Sequence, residues 1–269
     1  MSIIIGFAML VYPNIDPIIF SLGPLHIRWY SLAYIAGILL PFLIFKQAYR
    51  HSLKMSMDDI FNYISYLILG VIIGGRIGYV LFYDFIEFMK SPHLIIAIWR
   101  GGMSYHGGAI GAIISTILFA KRYHINKLML LDLLAIGSTI GIFLGRIANF
   151  INGELFGRVT TSPLGMVFPM GGHLPRHPSQ LYESFAEGFL LFVILWIIRR
   201  YLTPKPGILG SIYLILYGSF RFVLEFFREP DAHLGFVIHI FSLGQLLCIV
   251  EILIGLYLCW LLQKQPTHH

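Results

Sequence analysis

Seven stretches of this 269-residue chain are long and apolar enough to cross a lipid bilayer, and that recurrence restricts the fold more than any other feature. They lie near residues 25–45, 60–83, 101–120, 128–150, 180–198, 207–227 and 240–262. A helix needs about 20 apolar residues to cross a hydrocarbon core about 30 Å thick. Within that core each backbone N–H and C=O must be satisfied inside the segment, so runs of this length span as helices. Only 12% of the residues are charged, against about 25% in an ordinary soluble domain, and mean hydropathy is +0.78. The expected architecture is an all-α integral membrane protein: one polytopic domain over residues 1–269, a bundle of seven transmembrane helices with short extracytoplasmic elements.

The formal charge of +6 could suggest nucleic acid, but the basic residues sit in short connections between apolar runs. Position along the membrane normal explains them better. Lys46, Arg50, Lys54, Lys121, Arg122, Lys127, Arg199, Arg200, Lys205 and Lys264 fall on one side, and Lys90, Arg100, Arg158, Arg176 and Arg228 on the other. Ten against five places the first set in the cytoplasm, with the amino terminus outside and the carboxyl terminus inside. Residues 1–24 are apolar but broken by Pro13, Pro17 and Pro24, which predicts a surface-hugging segment rather than a span or a cleavable leader. Residues 92–99 read as a short interfacial piece. The two cysteines, Cys248 and Cys259, share one apolar run and fit neither a metal site nor a redox motif.

Charge inside the apolar runs marks the candidate site. The fourth run ends in Gly145-Arg146-Ile147-Ala148-Asn149-Phe150-Ile151-Asn152-Gly153-Glu154-Leu155-Phe156-Gly157. An ionised group at bilayer depth costs about 2.5–3.5 kcal/mol on insertion scales, so such residues are retained for function and face the protein interior. The sixth run carries Tyr217, Arg221, Glu225 and Arg228 at i, i+4, i+8 and i+11, on one helix face. Two arginines against one glutamate leave a positive excess, and Arg146 adds to it. Guanidinium forks suit phosphate, so the pattern suggests a phospholipid headgroup. His106, in Gly101-Gly102-Met103-Ser104-Tyr105-His106-Gly107-Gly108, titrates near neutrality and is placed at the outer mouth. His177 is a rival base, and Tyr30 reads first as an interfacial anchor. Two glycine series, Gly70-Gly74-Gly78 and Gly137-Gly141-Gly145, predict close helix approach. No metal-binding or P-loop pattern occurs, so a metal or organic cofactor is not expected.

These motifs, in this order, resemble the bacterial prolipoprotein diacylglyceryl transferase family nearly end to end. The resemblance runs through Asp16-Pro17, Trp29-Tyr30, Gly74-Gly75-Arg76-Ile77-Gly78-Tyr79 and the stretch around His106. It continues through the signature at 145–157, Arg176-His177-Pro178-Ser179-Gln180-Leu181-Tyr182-Glu183, and Phe220-Arg221 to Glu225-Phe226-Phe227-Arg228-Glu229-Pro230-Asp231. Ala148 and Phe156 stand where Gly and Trp are usual. The resemblance implies an enzyme of the bacterial inner membrane with its site toward the periplasm. It implies transfer of the diacylglyceryl group of phosphatidylglycerol to the lipobox cysteine of preprolipoproteins, forming a thioether and releasing glycerol 1-phosphate. It marks His106, Arg146 and Arg221 as catalytic, and Arg146, Asn149, Tyr30, Glu225, Arg228 and Gly157 as lipid-binding or otherwise important. A phospholipid or anion transporter could use the same arginine-lined groove, but it calls for broken helices in corresponding halves. Only the repeated Gly-Arg-Ile at 75–77 and 145–147 points that way.

Overall fold

The computed structural model describes residues 10–23, 25–49, 53, 55–97, 101–229, 236–238 and 241–264. Residues 1–9 and Pro24 of the amino-terminal segment, Arg50, Lys54 and Arg100 of the charge count, and Pro230-Asp231 of the last motif lie outside the described residues. The chain is mostly helical. Met57–Leu81, Lys127–Ile151, Ser179–Leu202 and Gly244–Lys264 are long and apolar enough to cross a membrane, and Trp29–Pro41 and Ile208–Leu224 are shorter apolar helices. This is an integral membrane protein of the all-α class.

Two compact units are present, one formed by Ile44–Leu133 and the other by Met1–Leu43 with Leu134–His269. The first is built on α2 (Met57–Tyr83) and α4 (Tyr105–Arg122). Ser56 and Asp59 close a reciprocal capping box at the start of α2, which satisfies two otherwise orphaned donors. The two helices meet where Gly70 and Gly74 face Gly107 and Gly111, so closely that a Cβ on Gly111 would run into the Gly70 carbonyl. Close backbone approach substitutes here for the hydrophobic drive that lipid removes. Polar and aromatic contacts extend the seam. The Tyr63 hydroxyl lies 3.0 Å from the Thr116 hydroxyl, and Phe119, fully buried, meets the rings of Tyr63, Tyr66 and Tyr123.

Arg76, which lies in the second apolar run, is buried in this unit. Its Nε donates to the Ile95 carbonyl at 3.0 Å, and one terminal nitrogen donates to the Gly101 and Gly102 carbonyls at 2.7 and 3.0 Å. Ser104 N–H donates to the Gly75 carbonyl at 2.8 Å, and Ser104 Oγ accepts from Gly107 N–H at the start of α4. Arg76 therefore ties the approach to α4, the helix that carries His106, to the end of α2.

In the second unit the amino-terminal segment forms a hairpin, β1 (Ile18–Leu22) with β2 (Leu25–Arg28), that runs directly into α1 (Trp29–Tyr49). α5 (Lys127–Ile151) is followed by an irregular outer segment. There Val159 and Met166 each pair with Arg176, and Phe150, Met166 and Phe168 form a small core against Tyr12, Phe156 and Leu181. The Tyr12 hydroxyl sits 2.8 and 2.9 Å from the Phe150 and Ile151 carbonyls, which have no acceptor role left inside the helix. A continuous helix follows: α6 (Ser179–Glu183), a π-helical segment over Ser184–Leu190, and α7 (Leu191–Leu202). α8 (Ile208–Leu224) packs along α9 (Leu243–Lys264), with the short strands β3 (Phe236–Ile238) and β4 (Phe241–Ser242) between them in sequence. The second glycine series behaves unlike the first. Gly141 is met by Gly37 of α1, but a Cβ on Gly145 would meet nothing within 4 Å. Close packing expected at Gly145 is absent, which leaves room beside Arg146.

Candidate functional site

Three helices of the second unit bring charge together. Arg146 comes from α5, Glu183 and Glu187 from the α6–π–α7 helix, and Arg221 and Glu225 from α8 and the residue that ends it. Arg146 Nε lies 2.9 Å from Glu183 Oε2, and a terminal nitrogen of Arg146 lies 3.9 Å from Glu187 Oε2. One terminal nitrogen of Arg221 is 3.1 Å from Glu183 and 3.6 Å from Glu187. The other donates to Glu225 Oε2 at 2.9 Å. Arg228 reaches within 3.9 Å of Glu183. Glu183 is thus the common contact of arginines from α5, α8 and the turn beyond α8.

Local structure explains how the two glutamates arrive there. Glu183 ends α6 and Glu187 lies within the π segment, whose widened turn displaces the residues that follow. Such turns are frequent at functional sites. α5 closes against the same turn. A Cβ on Gly188 would come 2.6 Å from Phe143 Cα, and Ser184 Oγ donates to the Phe143 carbonyl at 3.0 Å. Arg146 is three residues beyond Phe143 on that helix. On the far side Glu225 Oε1 accepts from Ser242 Oγ at 3.1 Å, so Glu225 is held between Arg221 and the start of α9.

The arginine surplus expected from the sequence is corrected by this arrangement. Three arginines, Arg146, Arg221 and Arg228, are met by three glutamates, Glu183, Glu187 and Glu225. Glu183 and Glu187 were missed because the periodicity of α8 was read alone. Two carboxylates four residues apart inside an apolar span were themselves a signal, by the same cost that singled out Arg146.

The remaining candidates have contacts of their own. Asn149 is buried and donates from Nδ2 to Glu154 Oε1 at 2.9 Å, where Asn152 also donates at 3.3 Å. Gln180 Nε2 donates to the Glu154 carbonyl at 2.6 Å, joining the end of α5 to α6. Tyr30, in the first turn of α1, packs its ring edge-on to Tyr34 at 5.0 Å. Gly157 holds backbone together. Its N–H donates to the His177 carbonyl at 2.8 Å, it bridges to Arg228, and a Cβ there would collide with the Phe227 carbonyl. Next to it Arg158 Nε donates to the Arg228 carbonyl at 2.7 Å, fixing the turn from which Arg228 projects. His106 stands in the first turn of α4, exposed, with its ring edge-on to Tyr105 at 5.5 Å in the other unit.

His177 is enclosed by Phe227 and Tyr182, with Nδ1 3.3 Å from the Tyr182 hydroxyl. Burial pushes its pKa below the ordinary 6.5, because the charged ring loses water. A histidine held low in the fold binds its proton more readily when unfolded. Stability of the outer segment is therefore expected to fall as pH drops below 6.5 and to be flat above it. Amide exchange over residues 157–178 at about pH 5.5 against neutral pH checks this, and His177→Asn should remove the difference. Protection, relative to the intrinsic exchange rate at each pH, that is the same at both pH values in the unsubstituted protein would contradict it.

Comparison with known proteins covers the whole of this framework. A family model described as prolipoprotein diacylglyceryl transferase matches residues 17–261. A phosphatidylglycerol–prolipoprotein diacylglyceryl transferase of Rickettsia felis is 46% identical over 252 residues, covering 93% of this chain and 97% of its own length. The enzymes of the same name from Rickettsia typhi and Rickettsia bellii are 47% and 45% identical over 252 residues, again across 93% of this chain. With arginines from two helices gathered in a membrane protein and the match running nearly end to end, the chain belongs to the prolipoprotein diacylglyceryl transferase family.

Proposed function

We propose that this enzyme transfers the diacylglyceryl group of phosphatidylglycerol to the cysteine thiol of a preprolipoprotein lipobox, forming a thioether and releasing glycerol 1-phosphate. The observation that carries the reading is the cluster of Arg146, Arg221 and Arg228 on Glu183, in a chain that matches transferases of this name along its length. Substrate sulfur attacks the glycerol carbon that bears the phosphate ester. The C–S bond forms as the C–O bond breaks, and the electron pair leaves on phosphate oxygen. Arg146 and Arg221 hold the phosphodiester and stabilise that developing charge, the term expected to weigh most. Glu225 orients Arg221, Arg228 adds to headgroup binding, and Asn149 and Tyr30 hydrogen-bond the polar headgroup. Gly157 acts through the backbone that positions Arg228. A thiol has a pKa near 8.5, so a base assists at neutral pH. His106 takes the proton and returns it to water or to the released phosphate.

The same reading makes the chain one polytopic domain of seven spans in the bacterial inner membrane, with its amino terminus outside and its site toward the periplasm. Ten basic residues against five in the connections support that orientation. No observation on the described residues favours the transport alternative. The test is reconstitution of the full chain in phosphatidylglycerol vesicles with a lipobox peptide, followed by mass spectrometry. The expected peptide gains the diacylglyceryl mass; folded protein that leaves it unmodified would overturn the proposal. His106→Gln is expected to lower turnover by at least about 10²-fold. Retained turnover removes His106 as the base and leaves the reaction standing.

A further inference from the structure

Glu183 and Glu187 have no part in the bond changes just described, yet both are fully buried. The cluster is asymmetric in its access. The side chains of Arg146, Arg221 and Arg228 keep 19%, 15% and 16% of their surface, whereas those of Glu183 and Glu187 keep none. The arginine side chains thus keep some accessible surface while Glu183 and Glu187 keep none, and the Arg221 nitrogen that meets both carboxylates is itself buried. Contacts of 3.6 and 3.9 Å from Glu187 to Arg221 and Arg146 are ion-pair distances, too long for hydrogen bonds. Glu187 acts on the arginines through charge more than through direct bonding.

That placement bears on the products. The donor phosphodiester carries one negative charge, and the phosphomonoester released from it carries about −1.5 to −2 at neutral pH. With Glu225 as their single counter-charge, the three arginines would hold the more charged product more tightly than the donor and slow its release. We propose that Glu183 and Glu187 are positioning residues that hold Arg146 and Arg221 together and offset their charge, so that the site releases the phosphomonoester it makes. This rests on the transferase reading above.

The experiment measures inhibition of transfer by added glycerol 1-phosphate, using the full chain in vesicles of phosphatidylglycerol diluted with a zwitterionic phospholipid. Transfer by the unsubstituted enzyme is established first, so failure of the reaction itself is seen separately from failure of this inference. Glu187→Gln keeps the shape and removes the charge. Its inhibition constant for glycerol 1-phosphate is expected to fall at least about tenfold, since at an effective dielectric of about 20 a charge even about 8 Å from the phosphate is worth more than one factor of ten. Glu187→Asp keeps the charge and should return the constant most of the way to the original value. A merely structural role would lower the active fraction without moving that constant. An unchanged constant in an active Glu187→Gln, or an Asp variant that behaves like Gln, overturns the proposal. Should the Gln variant not fold, calorimetry on the unsubstituted enzyme decides. Weak binding of glycerol 1-phosphate supports the inference, and saturation at or below about 1 μM overturns it.

Discussion

Replacing Arg221 with glutamine is expected to cost both activity and stability, turnover falling by about 10²–10³-fold. The Arg221 side chain meets all three glutamates of the cluster, at 3.1 Å to Glu183, 3.6 Å to Glu187 and 2.9 Å to Glu225. On the proposed mechanism its removal takes away a donor to the leaving phosphate, and it leaves buried carboxylates with one cation fewer. Breaking a buried pair by deleting one partner costs about 3–5 kcal/mol, because the remaining charge is uncompensated. Arg221→Lys separates the two effects. Lysine keeps the charge but loses the planar fork, which alone can serve Glu225 from one terminal nitrogen and Glu183 from the other. Thermal unfolding of the lysine variant in detergent should approach that of the parent, while turnover in phosphatidylglycerol vesicles stays low. Parental turnover in the glutamine variant would remove Arg221 from the site.

Gly111→Leu is expected to dismantle the α2–α4 pair. A Cβ at Gly111 would meet the carbonyl oxygen of Gly70, with Gly70 C at 2.8 Å and Gly74 Cα at 3.1 Å. All three are backbone atoms of α2, so no side chain can swing aside and the helices must separate. Overpacking of this kind costs about 3 kcal/mol or more, and the bulk of leucine places this change at the upper end. Gly108, three positions earlier on α4, is the control. Its nearest neighbour would be Val71 Cγ1 at 3.6 Å, ordinary contact distance. Gly108→Ala should therefore be neutral or gain up to about 1 kcal/mol of helix propensity. Comparing the two unfolding temperatures checks the claim, and similar values would refute it.

The first glycine series shows what kind of information was legible. Spacing alone marks Gly70 and Gly74 as a close-approach ridge, but it does not point to their partners Gly107 and Gly111 on α4. A four-residue repeat specifies which face of its own helix is smooth and says nothing of what comes to lie on it. Gly145 makes the same point from the other side, since an equally regular series ends there beside open space. Likewise Arg76 and Arg146 stand in identical Gly-Arg-Ile triplets, and the chain's local pattern gives no ground to separate them. Only the fold does, giving Arg76 three carbonyls and Arg146 two carboxylates.

Sequence by itself determined the membrane class, the helical content, and the Arg221–Glu225 pair at the end of α8, because these follow from composition and from periodicity within one segment. Arg228, expected on the same helix face, lies instead in the turn beyond α8, because the helix ends at Leu224. The family also was legible, since its motifs are contiguous. The charge of the site was decided by tertiary structure. Glu183 and Glu187 sit 37 and 41 positions beyond Arg146, and 38 and 34 before Arg221, one just before and one within a π-helical turn closed by Gly188 against Phe143. No local period links residues so far apart. In a low-dielectric interior, what an arginine can do is set by the nearest charge in space, and that neighbour comes from another helix.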